Sequence, residues 1–301
     1  MKVLISTQSA SDPLYVQKLN SLAKGISACG DTVIYDEGSA DVAVLYGSIK
    51  SNRGRSEHLI KKSIIKKFKK YVQLETPLVG RTLDPDSQYF RVGINGFLWD
   101  TANWGFDHMS QHRMDVFFKE FDYPNKTKWN SSGNHILVCM QKWGDASLGT
   151  VDTYQWCEEV VKQLRKITDR KILIRPHPLY RKKLKIEKLK QQMVKIKNVA
   201  WRDNDNRNPA QRVPIREDLN DCWCTVTYTS GSAVDSVLHG VPNIALGTGN
   251  MAWPVSSHSL SDIEKPHRED KTDWLNKIAH CQWSLKEFES GECWQHIRKS
   301  L

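Results

Sequence analysis

No apolar run in this 301-residue chain approaches the roughly 20 residues that a bilayer-spanning helix requires. The opening Val3-Leu4-Ile5 is also too short for the core of a signal peptide and reads as a first strand. Cysteine is sparse: the seven residues are odd in number and scattered, and Cys222-Trp223-Cys224 is not a CxxC. That argues against a zinc site and a disulfide framework, and predicts a reduced chain in the cytoplasm. The turn after the first strand, Ser6-Thr7-Gln8-Ser9, lacks GxGxxG, so no permanently bound dinucleotide cofactor is expected. No DxD stands at a plausible strand end. Asp203-Asn204-Asp205 lies in a polar stretch and reads as a turn, so no metal site is expected. Internal repeats and low-complexity tracts are missing as well.

What is present is an ordinary globular mix, 39% hydrophobic and 26% charged, long enough for two domains of about 150 residues. The charge is skewed, with 44 Lys and Arg against 34 Asp and Glu, a net +10. Such a balance favours a polyanion: nucleic acid, an anionic membrane surface or a nucleotide substrate. Much of it lies on two predicted helices, 56–70 and 181–197. In the first, Ile60, Ile64 and Phe68 repeat every four residues while Lys61, Lys62, Lys66, Lys67, Lys69 and Lys70 crowd the other faces. That pattern fits the solvated side of a core helix or a surface that contacts phosphates.

The order of elements points to a fold class. A strand at 2–6, a helix from Pro13 to Gly30, and strands at 32–35 and 41–46 give a βαβ rhythm, continued by a short strand at 71–75. Residues 89–121 break it with aromatics, carboxylates, Asn and Gly in one loop-like stretch, which suggests a surface facing a ligand or another domain. Residues 124–134 are polar and without period, as a linker would be. The rhythm then restarts: a strand at 135–140, a helix at 152–167, a strand at 171–175, a helix near 181–195, a strand near 198–201 and a strand–turn–helix–strand unit over 223–246. The expected architecture is α/β, with two Rossmann-type domains (1–123 and 135–272) and a cleft between them. Residues 273–301 read as two short helices returning to the first domain, their tryptophans (Trp274, Trp283, Trp294) packing rather than binding.

The chain's chemistry concentrates at strand ends. Thr225 to Leu246 reads as a β-branched strand, the hydroxyl-rich turn Thr229-Ser230-Gly231-Ser232, a short helix closed by Gly240, and a second strand. Hydroxyls and free N–H groups at a helix start bind phosphate without an added cation, although Ser230 or Ser232 would serve equally as a helix cap. Upstream, Lys171-Ile172-Leu173-Ile174-Arg175-Pro176-His177-Pro178 delivers an Arg and a His at a strand's carboxyl end, where parallel sheets bind ligands.

The pairing of Arg175-Pro176-His177-Pro178 with Thr229-Ser230-Gly231-Ser232 and Gly240-Val241-Pro242-Asn243-Ile244 resembles the donor-binding half of GT-B glycosyltransferases. Within that group it is most similar to the capsule-polysaccharide, polyglycerol-phosphate and sialyl-type transferases and their bacteriophage relatives. The resemblance implies a nucleotide-sugar co-substrate, a UDP-sugar by first guess, held by Arg175, His177, Thr229, Ser230, Gly231 and Ser232, and the neighbouring strand ends add Lys142 and Tyr228 as candidate donor contacts. It also likens Tyr89, Arg91, Asn95, Gly96 and Arg113 to the acceptor side of those enzymes.

Sugar transfer with inversion needs a base for the acceptor hydroxyl. Asp100 and then Asp107 are the candidates, with Trp99, Trp104, His108 and Arg113 as acceptor contacts; Trp99 and Trp104 fit a core role as well. The net charge, together with the phage enzymes of this architecture, suggests double-stranded DNA bearing hydroxymethylated pyrimidines as acceptor, and a host cytoplasm as location. A surface polysaccharide or polyol-phosphate glycan is the alternative. A non-catalytic nucleic-acid-binding protein on a degenerate GT-B fold is the reading from another class.

Overall fold

The computed structural model describes residues 1–49, 56–80, 89–121, 123, 126–180, 183–204 and 213–301. The first residues of the expected linker (124–125), the start of the helix predicted near 181 and Asp205 of the predicted turn lie outside them. The chain divides into two compact units: Met1–Asp122 with Leu275–Leu301, and Tyr123–Trp274.

Strands follow in chain order as β1 Lys2–Ile5, β2 Thr32–Tyr35, β3 Val42–Tyr46, β4 Tyr71–Glu75, β5 Tyr89–Ile94, β6 His135–Cys139, β7 Lys171–Arg175, β8 Val199–Trp201, β9 Cys222–Thr227, β10 Asn243–Ala245 and β11 Gln282–Ser284. The helices are α1 Pro13–Ala28, α2 Ser56–Lys67, α3 Gln111–Lys119, α4 Thr153–Ile167, α5 Lys183–Met193, α6 Ile215–Leu219, α7 Ser232–Leu238, α8 Thr272–His280, α9 Leu285–Glu289 and α10 Glu292–Arg298.

The first unit's sheet runs β11-β5-β4-β3-β1-β2. Its β2, β1, β3 and β4 are parallel, while β5 lies antiparallel to β4 and β11 antiparallel to β5. The second unit's sheet, β10-β9-β6-β7-β8, is parallel throughout. Central strands such as β3 (Val-Ala-Val-Leu-Tyr) and β6 (His-Ile-Leu-Val-Cys) are near-continuous apolar runs because helices cover both of their faces. The expected class, α/β with two Rossmann-like domains, is the one observed.

Local chemistry explains the boundaries. Asp12 caps α1 by accepting the Leu14 N–H at 2.9 Å, and Pro13 takes the first helical position, where a missing N–H costs nothing. Leu19, Leu22, Ala23 and Ile26 line its buried face, and Gly30 ends it at φ +81°. On the same helix, a Cβ added at Gly25 would stand 1.8 Å from the Phe288 carbonyl oxygen of α9. Gly25→Ala must therefore push two backbones apart. It is expected to lower stability by about 1–2 kcal/mol, read as a lower denaturation midpoint at unchanged m-value.

Three sequence expectations need correction. Tyr89 to Ile94 is not part of a loop: it forms β5 and is buried along its whole length, so its aromatic rings belong to the core. The C-terminal segment contains a strand as well as helices. Gln282 in β11 is buried and its side-chain carbonyl accepts the Leu78 and Val79 N–H groups at 2.6 and 3.0 Å. A three-residue strand is too short to carry a readable period. The polar stretch 126–134 is not a free linker but is bonded to the second unit. The Asn130 N–H donates to the Gly240 carbonyl at 2.7 Å, and the Trp129 indole to that of Glu269 at 2.7 Å. Lys271, buried against the Trp129 ring, donates to the Lys128 and Val237 carbonyls at 2.7 and 2.6 Å.

Candidate functional site

The second sheet has one place where its topology opens. From β6 the chain steps to β7 and β8 on one side, then returns to β9 and β10 on the other. The loops leaving β6 and β9 therefore diverge, and the crevice at their carboxyl ends is where open α/β sheets bind ligands. Gln141-Lys142 leaves β6 there, and Tyr228-Thr229-Ser230-Gly231 leaves β9 and enters α7. Residues 176–178 leave the adjacent β7.

The β9 turn is held from below by a buried polar ladder. The Thr225 and Thr227 hydroxyls donate to the Asn243 side-chain carbonyl at 2.9 and 3.0 Å, and Asn243 Nδ2 donates to Ser256 Oγ at 2.9 Å. Asn250, fully buried, donates through Nδ2 to Thr227 Oγ1 and to the Tyr228 carbonyl, each at 2.9 Å. Such a network is stable only because its members satisfy one another, and that requirement fixes the turn in one place. From the β6 side, Gln141 Oε1 accepts the Thr229 N–H at 2.8 Å while its Nε2 donates to Ser147 Oγ at 2.9 Å. Gly247 closes over the turn: a Cβ there would come within 2.8 Å of Thr229 Cγ2. Asn250 is a support that the sequence did not point to, and Gln141 and Asn243, which stand in motifs read from it, turn out to brace the turn rather than face a ligand.

The predicted donor residues separate into two kinds. Ser230, Gly231 and Ser232 are half-buried at the start of α7, where Ser230 Oγ accepts the Ser232 N–H at 3.2 Å. The N–H groups of Ser230 and Gly231 make no hydrogen bond among the described residues. Half-buried His177 accepts the Leu179 N–H on Nδ1 at 3.0 Å, so in its neutral form the proton sits on Nε2. Lys142 and Tyr228 are also half-buried, at the ends of β6 and β9.

Arg175 and Thr229, by contrast, are committed inside the protein. The Arg175 guanidinium pairs with the fully buried Asp218 carboxylate and donates to the Val213 carbonyl at 2.6 Å. Arg202 reaches the other oxygen of Asp218 at 2.6 Å. Two cations on one anion leave a surplus positive charge, and Arg202, with 36% of its side chain exposed against 9% for Arg175, is the one that presents it. The Thr229 hydroxyl donates to the Ser147 carbonyl at 2.8 Å and so ties two loops together. Beneath Arg175, burial pushes the Cys139 thiol up to about 12, which removes it as a nucleophile.

In the first unit, the predicted acceptor residues do not gather. Asp100, Asp107 and His108 are exposed, while half-buried Trp99 packs on Phe106 with ring centres 5.5 Å apart. Trp104 is 2% exposed and belongs to the core, so it has no face to offer a sugar. Arg113 is stacked on Trp283 at 3.6 Å, pairs with Glu287, and donates to the Ala279 carbonyl at 3.1 Å. It anchors the C-terminal segment. The C-terminal strand and helices claim Arg113, while the Trp104 ring lies against Gly93 of β5 and its backbone carbonyl meets His296 Nε2 at 2.9 Å; nothing local to residues 99–113 announces these partners.

Among the described residues no group of three His, Cys, Asp or Glu could hold a metal ion, and no helix is long and apolar enough to cross a membrane. No protein-family model and no curated protein matches the chain. Solved structures do match, two KpsC structures among them. KpsC of Thermosulfurimonas dismutans, a β-Kdo 2,4 transferase, superposes with a TM-score of 0.56 at 15% identity, covering 93% of this chain and 90% of that one. The β-Kdo 2,7 transferase of the same KpsC superposes with a TM-score of 0.56 at 11% identity, covering 97% and 99%. At such identities the likeness is one of architecture: this chain has the two-domain α/β fold of the KpsC Kdo transferases.

Proposed function

We propose that the protein is a glycosyltransferase that moves a sugar from a nucleotide-activated donor to a hydroxyl of a carbohydrate acceptor. The observation that carries this is the Thr229–Ser232 turn. It stands at the second sheet's switch point, braced from two sides, with the Ser230 and Gly231 N–H groups directed by the start of α7. Anionic oxygens of a nucleotide sugar suit such a cradle. His177 Nε2–H, Lys142 and Arg202 supply further donors and positive charge at neighbouring strand ends. Charge developing on the departing phosphate is what a transferase most needs to stabilise, and preorganised donors do so without reorganisation at the moment of reaction.

The carbohydrate acceptor is favoured by the fold shared with two sugar transferases. A hydroxymethylated pyrimidine in DNA is the second reading, supported by the net charge of +10 and by exposed Lys62, Lys66 and Lys67 on α2. The test is an intact-mass assay with a pool of nucleoside mono- and diphosphate sugars, offered oligosaccharides in one arm and hydroxymethylated oligonucleotides in the other. A gain of one sugar residue identifies donor and acceptor together. His177→Ala is expected to lower kcat/KM by about 100-fold, the scale of losing one charge-stabilising donor. Donor that is never consumed in either arm would sink the enzyme reading and leave a binding protein on this fold.

A further inference from the structure

The first sheet has its own switch point. From β1 the chain steps to β2 on one side and to β3 on the other, so a crevice opens at the carboxyl ends of β1 and β3, with the end of β4 beside it. The turn Ser6–Ser9 lines one wall: Ser9 Oγ donates to the Ser6 carbonyl at 2.7 Å and accepts the Tyr46 N–H at 2.9 Å. Tyr46, Gly47 and Ser48 line the other. The expected bases are placed differently, because Asp100 and Asp107 follow β5, which runs antiparallel and ends level with Tyr71–Val72, at the amino end of β4.

Glu75 stands at the carboxyl end of β4 with 14% of its side chain exposed. One carboxylate oxygen accepts the Ser48 N–H at 3.0 Å, and the other accepts the Thr76 N–H at 3.2 Å and faces Arg91 at 3.9 Å. The second oxygen is also offered the Thr76 hydroxyl at 3.4 Å, so the oxygen bonded to Ser48 is the one that keeps a lone pair beyond its backbone bond. Gly47 has φ +76°, and a Cβ there would sit 3.2 Å from Lys61 Nζ and 3.7 Å from Glu75 Oε1. Cation and carboxylate thus approach one stretch of bare backbone, as at sites where a ligand must come close.

A second observation is independent of the carboxylate. The Tyr46 hydroxyl is buried, its ring stacked on Tyr15 at 4.1 Å, and it makes no hydrogen bond of normal geometry among the described residues. Native proteins rarely strand a buried hydroxyl, so one whose sole approach among the described residues is a poorly aligned one to Tyr15 has room for a better partner. Burial holds this phenol well above its ordinary pKa and the nearby Glu75 charge adds to the effect, so it remains a proton donor.

We propose that Glu75 is the catalytic base, taking the proton of an acceptor hydroxyl seated at the first unit's switch point. The assignment rests on the glycosyltransferase reading. The acceptor O–H bond breaks and its proton passes to the Glu75 carboxylate. The freed oxygen forms a bond to the anomeric carbon, and the bond from that carbon to the donor's phosphate oxygen breaks, its electron pair leaving with the nucleotide. Glu75 returns the proton to water after the product departs.

The test uses the full chain with the donor and acceptor that the mass assay identifies. E75Q keeps the shape and one of the two backbone contacts but removes the base, and kcat is expected to fall about 10²- to 10⁴-fold. Donor affinity by nucleotide titration should stay within about twofold, since the loss is confined to the transition state. The acid limb of the wild-type pH–rate profile should vanish from the residual activity. If E75Q folds poorly, Glu75→Asp keeps the charge, withdraws it by one methylene, and should lower kcat at a held KM. Three results would overturn the assignment: E75Q with more than about a tenth of wild-type kcat, the same loss found in Asp100→Asn instead, or a sugar covalently attached to Glu75. A wild-type protein that consumes no donor would remove the glycosyltransferase reading and this proposal together, whereas an active wild type matched by E75Q removes this proposal alone.

Discussion

Asp218→Ala is expected to destabilise the second unit by about 3–5 kcal/mol, because it strands a buried cation rather than merely deleting an ion pair. Asp218 is wholly buried and takes Arg175 on one oxygen and Arg202 on the other. Without it Arg202 can turn to solvent, but Arg175 stays at the end of β7 with the Val213 carbonyl as its one remaining side-chain partner among the described residues. A denaturation midpoint close to wild type would show that the pair contributes little. The double variant Asp218→Leu with Arg175→Met separates the causes. It removes both charges and should recover most of the loss, since an apolar pair of similar volume avoids the desolvation cost. Nucleotide binding in that double variant also tests whether Arg175 contributes to the donor site beyond its structural role.

Acidification between about pH 6.5 and 4 is expected to weaken the first unit before most carboxylates titrate. His280 is held down to about 4, chiefly by burial, with His296 and Arg113 adding to the effect. His296 is lowered too, again mainly by burial, with Arg113 and His108 contributing. The two rings lie 5.3 Å apart. His280 donates through Nδ1 to the Asn276 carbonyl at 2.9 Å and accepts the Ser110 N–H on Nε2 at 3.0 Å, so a second proton would break a bond as well as bury a charge. Because the folded pKa values lie below those of the unfolded chain, the unfolded state binds the extra protons in this window. Stability is therefore intact above about pH 6.5 and falls as the pH drops toward 4. At about 1.4 kcal/mol per unit of displacement, discounted for solvent screening, His280 alone should cost about 2–3 kcal/mol. Thermal melts across pH 4–7 check this, and His280→Gln should flatten the slope whatever it does to the melting temperature at pH 7. Asp31, Asp152 and Glu264 are also shifted down, because hydrogen bonds and cations outweigh the opposing effect of burial. Their stabilisation is lost only at lower pH, as each is protonated.

The sequence alone reached the class of fold and the strand ends that matter in the second unit. Apolar β-branched runs alternating with helical periods, punctuated by Gly, Pro and hydroxyl residues, are local signals, and local signals survive in one dimension. Hence Lys171–Arg175 reads as a strand that ends in Pro-His-Pro, and Thr229–Ser232 as a turn into a helix. What the sequence could not show is which strand end lies beside which. The tertiary fold brings Asp218 to Arg175 across 43 residues, lays residues 282–284 against β5 so that Arg113 becomes a packing group on Trp283, and sets Glu75 beside Gly47 at a switch point. Such pairings are decided by long-range burial: a charged side chain is drawn to whatever partner the fold buries with it, and no periodicity in the neighbouring residues records that partner.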